Sequence, residues 1–238
     1  MGRRALVTGG AKRIGRGLAL ALARAGADVA ITYRDSRQAS EQTVVDLGAL
    51  GVKALSVPCD VHQESSVASA IEEAAAALGG LDILNNNAGR FETEALEKIT
   101  TAQWDEMFAT NTRGPFLVGK HAYPHLKRTR GRIVNIGSLG GLHPWSTHAH
   151  YCTSKAALHM LSQTMAKAWA PEVSVNCVAP GMIVTSGEVT SGYEHFAEKT
   201  PMRRNGTVED VAAAVLFFAT APHFITGQIL TVDGGLGL

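Results

Sequence analysis

Residues 4–33 read RALVTGGAKRIGRGLALALARAGADVAITY, and this stretch decides the fold. The apolar run before Thr8 predicts a β-strand, residues 14–25 have the period of an amphipathic helix, and DVAITY (28–33) predicts a second strand. Glycines between the first strand and the helix allow a tight turn that can approach a pyrophosphate, which would lie at the positive N-terminus of the helix. Because the spacing differs from GxGxxG, a glycine-rich turn without a ligand is the alternative.

The alternation of strands and helices continues to the end of the chain. Further helices are predicted at 38–50, 64–78, 102–126, 149–170 and 208–220, and further strands at 53–58, 81–85, 132–136, 173–178 and 228–232. Parallel neighbours need crossover connections that cover both faces of a sheet. The order therefore predicts an α/β fold, a Rossmann-type doubly wound domain with a seven-stranded parallel sheet flanked by helices on both faces.

The sequence shows no linker, repeat or change in composition, so residues 1–238 are expected to form one dinucleotide-binding and catalytic domain. One long stretch, 182–206, lacks a clear period. Long loops in compact domains are commonly lids or binding segments, so this stretch is predicted to be a substrate loop.

Composition excludes several classes of protein. The 238 residues are 45% hydrophobic and 18% charged, with a formal net charge of +1, which gives no electrostatic case for binding nucleic acid or an anionic membrane. Three cysteines without CxxC spacing indicate neither a disulfide framework nor a cysteine zinc site. The apolar run at the N-terminus is too short for a signal peptide or a membrane span, so a cytoplasmic protein is expected.

The pentapeptide YCTSK places Tyr151 and Lys155 four residues apart, on one face of a predicted helix. A free phenol titrates near pH ~10, and a nearby ammonium is expected to lower that pKa so that the phenol can act as a general acid or base. Such a pair alone is often a chance feature of a solvated helix face. Ser138, thirteen residues before Tyr151 at the end of a predicted strand, argues against chance.

Together these motifs resemble the short-chain dehydrogenase/reductase family, whose turn reads T-G-x-x-x-G-x-G. Thr8, Gly9, Gly15 and Gly17 fit that turn, whereas Arg13 stands where its middle glycine is expected. The resemblance covers essentially the whole chain, through NNAG (86–89), NTRGPF (111–116), IVNIGS (133–138) and ITGQILTVDGG (225–235).

The resemblance implies a hydride transfer between a cofactor and a carbonyl or secondary alcohol, with four catalytic residues. Tyr151 would donate a proton to the carbonyl oxygen, and Ser138 would hydrogen-bond that oxygen. Lys155 would hold the nicotinamide ribose and lower the pKa of the tyrosine, and Asn111 would anchor water in a proton relay.

The resemblance also implies the residues that bind the cofactor. They are Gly9, Arg13, Ile14, Gly15, Tyr33, Arg34, Asp60, Val61, Asn87, Ala88, Gly89, Pro180, Gly181, Ile183 and Thr185, together with Tyr151 and Lys155. Within the set, the NNAG asparagines can equally serve the turn itself. Arg13 and Arg34 could pair with a 2′-phosphate, and Tyr33 stands where an NAD-selective relative would carry an acid, so NADP(H) is predicted over NAD(H). Surface charge without a ligand is the alternative for both arginines.

The substrate is left open by the resemblance. TGGAKRIG is similar to pteridine reductases, whereas Ser138 and the C-terminal third are similar to 3-oxoacyl-(acyl-carrier-protein) reductases. A sugar or polyol dehydrogenase is a further possibility. A catalytically silent NADP(H)-sensing protein is the alternative of another class. The family also implies a homotetramer assembled through the helices at 102–126 and 149–170.

Three histidines, His143, His148 and His150, lie just before Tyr151. Histidines at this density can bind zinc or copper, but no Cys, Asp or Glu lies among them, so no metal is predicted. One of them is expected to contact the substrate instead. Trp145 and Met182 are expected to form apolar wall of the same pocket.

Overall fold

The computed structural model describes residues 2–185 and 193–238. Its strands are β1 (Arg4–Val7), β2 (Asp28–Tyr33), β3 (Ala54–Pro58), β4 (Ile83–Asn86), β5 (Arg132–Ile136), β6 (Ser174–Pro180), β7 (Ile183–Val184), β8 (Gly206–Thr207) and β9 (Ile229–Val232). Seven of them form one parallel sheet in the order β3-β2-β1-β4-β5-β6-β9. The predicted seven-stranded parallel sheet is confirmed.

Helices cover both faces of this sheet. They are α1 (Arg13–Arg24), α2 (Arg37–Gly48), α3 (Glu64–Leu78), α4 (Thr101–Phe108), α5 (Gly114–Thr129), α6 (Ala149–Trp169), α7 (Glu194–Lys199) and α8 (Val208–Thr220). Successive side chains of a strand point to opposite faces, so Val7 packs in the core beneath α1 and α8, whereas Leu6 packs beneath α3, α5 and α6. The doubly wound arrangement follows from this two-sided burial.

The prediction of one long helix at 102–126 is wrong in one respect. The structure has two helices there, α4 and α5, separated by a π-helical turn, Ala109–Arg113. Pro115 lacks the N–H that would otherwise continue the α-helical ladder across this point. The turn buries Asn111 completely. One extra residue in the turn therefore directs an amide side chain into the interior.

The stretch 182–206 is not wholly without secondary structure. Ile183 and Val184 of β7 pair in parallel with Gly206 and Thr207 of β8, and the short helix α7 lies between them. Elements of two to six residues are too short to produce a periodic pattern. Residues 186–192 of the predicted substrate loop lie outside the described residues.

The strand order reverses between β1 and β4, which is where doubly wound sheets bind ligands. No helix in the described ranges combines the length and hydropathy needed to cross a membrane.

Candidate active site

A cleft opens along the carboxyl ends of the central strands, with a volume of about 1530 Å³. Sites for single small molecules usually span roughly 300–1,000 Å³, so this cleft has room for a cofactor and a second molecule. Each predicted cofactor contact except Asp60 lines it, as do Ser138, Tyr151 and Lys155. The cleft thus brings the glycine turn and the YCTSK motif to one surface.

The glycine turn is locked to the NNAG segment by hydrogen bonds. The Thr8 hydroxyl accepts from the N–H groups of Asn87 (3.0 Å) and Ala88 (3.1 Å), and Asn87 Nδ2 donates to the carbonyls of Thr8 (3.0 Å) and Gly9 (3.2 Å). A Cβ at Gly15 would overlap the Gly9 carbonyl and Asn87 Nδ2. The asparagine therefore serves the turn, as expected, and glycine is needed where the first turn of α1 meets it.

One end of the cleft carries the two arginines on which the cofactor prediction rests. Arg13 is exposed and adopts φ +50°, the left-handed region that glycine occupies readily. Arg34 Nε is 2.8 Å from Asp35 Oδ2 in a solvent-exposed pair, beside half-buried Tyr33. Exposed ion pairs of this kind contribute little, so the pairing with Asp35 does not prevent Arg34 from turning to a phosphate.

Asp60 does not line the cleft, although its neighbours Cys59 and Val61 do. Its Oδ1 accepts from the N–H of His62 (3.0 Å), and its own N–H donates to Ser66 Oγ (3.0 Å). Asp60 thus stabilises the loop that leads into α3, and the predicted contact between Asp60 and adenine stays a prediction.

Three predicted catalytic residues, Ser138, Tyr151 and Lys155, lie close together along the cleft. Lys155 is 5% exposed, and its Nζ donates to the carbonyl of Ile136 (2.8 Å). The same Nζ lies 6.0 Å from the ring centroid of Tyr151. Ser138 begins a short helical turn, where its Oγ accepts from the N–H of Gly140 (3.1 Å), and it also hydrogen-bonds Tyr151.

The net lowering of the tyrosine pKa that was expected from Lys155 does not occur in this structure, because the effect of burial is larger. Burial raises the pKa of Tyr151 to about 12, and the hydrogen bond with Ser138 offsets only part of that rise. Burial also lowers the pKa of Lys155 to about 8. At neutral pH the Tyr151 phenol is therefore protonated, and the Lys155 amine is mostly in its charged ammonium form.

Asn111 lies behind the cleft wall. Its Oδ1 accepts from the N–H of Arg90 (2.8 Å), and its Nδ2 donates to the carbonyl of Arg90 (2.9 Å) and to Ser154 Oγ (3.0 Å). The side chain therefore anchors the segment that follows NNAG. Its predicted role in a water relay stays a prediction.

The three histidines before Tyr151 have different environments. His143 and His148 line the cleft, whereas His150 is fully buried, with neither ring nitrogen bonded within the described part of the chain. Trp145 and Met182 line the cleft, as expected. Among residues 2–185 and 193–238, no group of three or more His, Cys, Asp or Glu side chains could hold a metal ion.

Two residues of the site were missed by sequence reasoning. His159 is buried on α6, and its Nε2 accepts from the N–H of Ser138 (3.4 Å). Burial and the nearby Lys155 lower the pKa of His159 to about 4, so the ring is neutral. Its position four residues after Lys155 repeats the spacing of YCTSK and could have revealed it. Phe91, directly after NNAGR, is the second, and it contacts the ring of Tyr151.

Comparison with known proteins agrees with this geometry. Residues 9–237 match a family profile described as Enoyl-(Acyl carrier protein) reductase. The chain is 35% identical to the short chain dehydrogenase mdpC of Emericella nidulans, over 98% of this chain and 95% of that protein. It is 34% identical to the 3-oxoacyl-(acyl-carrier-protein) reductase FabG of Staphylococcus epidermidis, over 99% of each chain. The crystal structure of a short chain dehydrogenase from Burkholderia cenocepacia in complex with NADP has a TM-score of 0.93 and 37% identity, covering 100% of this chain and 99% of that one.

Proposed function

The chain belongs to the short-chain dehydrogenase/reductase family of oxidoreductases, and we propose that it interconverts a carbonyl and a secondary alcohol with NADP(H) as the hydride carrier. The observation that carries the proposal is the meeting of Tyr151, Ser138 and Lys155 on the wall of the cleft that holds the glycine turn. A proton donor thus lies beside a dinucleotide-sized groove.

The residues of the cleft fit a dinucleotide phosphate. Gly9 and Gly15 present bare backbone to the cleft, and the buried Thr185 hydroxyl has no hydrogen-bond partner among the described residues. Arg13 and Arg34 supply positive charge for a 2′-phosphate, and the complex of the Burkholderia relative with NADP supports this choice. When bound, NADPH would supply the hydride that reduces the carbonyl carbon.

Proton transfer falls to Tyr151. Because burial raises the pKa of its phenol to about 12, Tyr151 carries its proton at neutral pH and can donate it to the carbonyl oxygen. Ser138 Oγ accepts from the N–H of Gly140, and because a hydroxyl can donate and accept at once, its O–H can donate to the same oxygen. Lys155 then stabilises the phenolate that remains, because a buried ammonium near a new negative charge is poorly screened.

The substrate side of the cleft supports a finer hypothesis. Residues from the predicted loop, among them Met182, Tyr193, Phe196 and Lys199, line the cleft beside the catalytic wall. A 3-oxoacyl thioester is one candidate substrate, supported by the FabG relative. An NADP(H)-sensing protein without turnover is the alternative that the following experiment addresses.

The test is NADPH oxidation with a panel of ketones, β-ketoacyl thioesters, pterins and sugars. We expect Tyr151→Phe to lower kcat/KM about 10²–10⁴-fold, since general acid catalysis contributes that much, while the Kd for NADPH changes little. Tyr123→Phe is the matched control because Tyr123 stacks on Trp169, away from the cleft. If the native protein binds NADPH but turns over every compound no faster than Tyr151→Phe, the enzyme hypothesis is wrong.

A further inference from the structure

Four rings from two separate segments form a closed cluster at the substrate end of the cleft. Phe91 stacks on His148 (ring centroids 4.9 Å apart, 27° between planes) and meets Tyr151 edge-on (4.9 Å, 86°). Trp145 lies nearly parallel to Tyr151 (6.1 Å, 16°) and edge-on to His148 (5.6 Å, 83°). All four line the cleft. We name Phe91, Trp145 and His148 the aromatic wall.

Hydrogen bonds hold the two segments together. The ring of His148 is fixed from both sides, with Nε2 2.9 Å from Thr93 Oγ1 and Nδ1 2.9 Å from Thr147 Oγ1. The N–H of Glu94 donates to the carbonyl of Thr147 (2.9 Å), which joins the segment of Phe91 to that of His148. The wall is therefore built before any substrate arrives.

The other two rings are also supported from behind. A Cβ at Gly140 would come within 3.0 Å of Trp145 Cζ3, so the indole lies flat against bare backbone. The residue before Phe91 is Arg90, whose N–H and carbonyl are both bonded to the buried side chain of Asn111. Phe91 nevertheless stays 60% exposed, facing open space beside Tyr151. A large apolar ring held in this way offers a contact surface for a ligand.

The wall is uncharged as well as rigid. Burial and the neighbouring His150 lower the pKa of His148, so its ring is neutral at neutral pH. The nearest strongly charged group on the Phe91 segment, the guanidinium of Arg90, is paired with Glu92 (2.9 Å). Rings of this kind attract other rings beyond the area that they bury, by an amount that corresponds to about a tenfold change in binding.

We propose that the aromatic wall binds a flat aromatic ring system of the substrate, so that the preferred carbonyl is attached to such a ring. A flexible aliphatic chain of the same size would gain burial but no stacking. The inference deepens the proposed function and rests on it for the chemical step. Binding to the wall can be measured without turnover, so the two can fail separately.

The experiment compares ligand pairs that differ in planarity. Turnover with NADPH is measured for α-tetralone and its saturated counterpart decalone, and binding is measured by calorimetry for naphthol and its saturated counterpart decalol. We expect kcat/KM to be about tenfold higher for tetralone, and the Kd to be about tenfold lower for naphthol.

Variants locate the preference on the wall. Phe91→Leu and Trp145→Leu should each bring both ratios close to one, whereas Phe91→Tyr keeps a ring and should keep the ratios. Phe217→Leu, an exposed position on α8 outside the cleft, is the control and should leave both ratios unchanged. Three separate wall variants guard against one that fails to fold.

Each outcome has one meaning. Ratios near one in the native protein, or a Phe91→Leu variant that weakens planar and saturated ligands equally, overturn the inference, and turnover of either ketone would still support the proposed function. A tenfold binding ratio that Phe91→Leu removes supports the inference, even if no ketone is reduced and the proposed function fails.

Discussion

Arg13 occupies a backbone conformation that costs an L-residue free energy. At φ +50° the strain at Arg13 costs ~1–2 kcal/mol, and glycine would remove that strain. Glycine also gives the unfolded chain more conformational entropy, which offsets ~0.4–1 kcal/mol of the gain. We expect Arg13→Gly to raise the free energy of unfolding by about 0.5 kcal/mol, measured by urea titration. A lost charged contact is worth ~1.5–3 kcal/mol, so the Kd for NADPH should rise at least tenfold while that for NADH stays constant.

Arg203→Gly is the matched control for this prediction. Arg203 also has positive φ (55°), but it does not line the cleft. Its substitution should raise stability similarly and leave both Kd values unchanged. Equal weakening of NADH and NADPH binding by Arg13→Gly would contradict the role of Arg13 at a 2′-phosphate.

The pKa values of Tyr151 and Lys155 predict the pH profile of reduction. With a pKa of about 12, Tyr151 keeps its proton across the accessible range. Lys155, with a pKa of about 8, is charged below that pH and neutral above it. Because the charge stabilises the developing phenolate, kcat/KM for reduction should be constant below pH about 8 and fall above it. Alcohol oxidation needs the phenolate and should instead increase with pH.

Initial rates between neutral and alkaline pH check this prediction. Lys155→Arg keeps its charge throughout, so any residual activity should lose the decline near pH 8. A profile that stays flat well above that pH in the native enzyme would show that the charge of Lys155 does not matter for the step.

At the scale of single elements, a helix or turn could be predicted from the sequence when residues within that element determine it. The predicted bounds 64–78 and 208–220 match α3 and α8, and α8 begins where Thr207 and Asp210 form a reciprocal cap. The π-helical turn was missed because one additional residue leaves the helical spacing on each side intact. Only Pro115 gave a local signal, and the bonds of Asn111 to Arg90 involve a distant segment.

The close contact between α1 and α8 at Gly17 predicts how a larger residue at that position would change stability. A Cβ at Gly17 would overlap Val208 Cγ1. Overpacking of this kind costs ~1–3 kcal/mol, so Gly17→Ala should lower the free energy of unfolding by that amount in chemical denaturation. Combining it with Val208→Ala should restore part of the loss.

Gly48→Ala is the control, because a Cβ at Gly48 meets nothing within 4 Å at the end of α2. It should be neutral or stabilising by up to ~1 kcal/mol, since alanine favours the helix. Destabilisation of equal size at both glycines would mean that the α1 and α8 contact is not the cause.

For the molecule as a whole, the sequence predicted which residues surround the cleft better than it predicted their properties. The glycine turn, Ser138 and YCTSK were recognisable because their backbone context is encoded locally. The pKa of Tyr151 was predicted in the wrong direction because the burial that raises it depends on tertiary packing. The aromatic wall was missed because it joins Phe91 to a segment that follows β5.

The homotetramer implied by the family resemblance stays a prediction, and the surface of α4, α5 and α6 supports it. Trp104, Phe116 and Met160 on these helices are 37%, 44% and 63% exposed, and assembly through these helices would bury their apolar surface. Light scattering should give the mass of four 25.1 kDa chains. Phe116→Glu should lower that mass, because burying an unpaired carboxylate costs several kcal/mol, on the order of the free energy of association. Val45→Glu, at an exposed side chain of α2, should leave the mass unchanged. A native protein that remains a single chain at all concentrations would contradict the prediction.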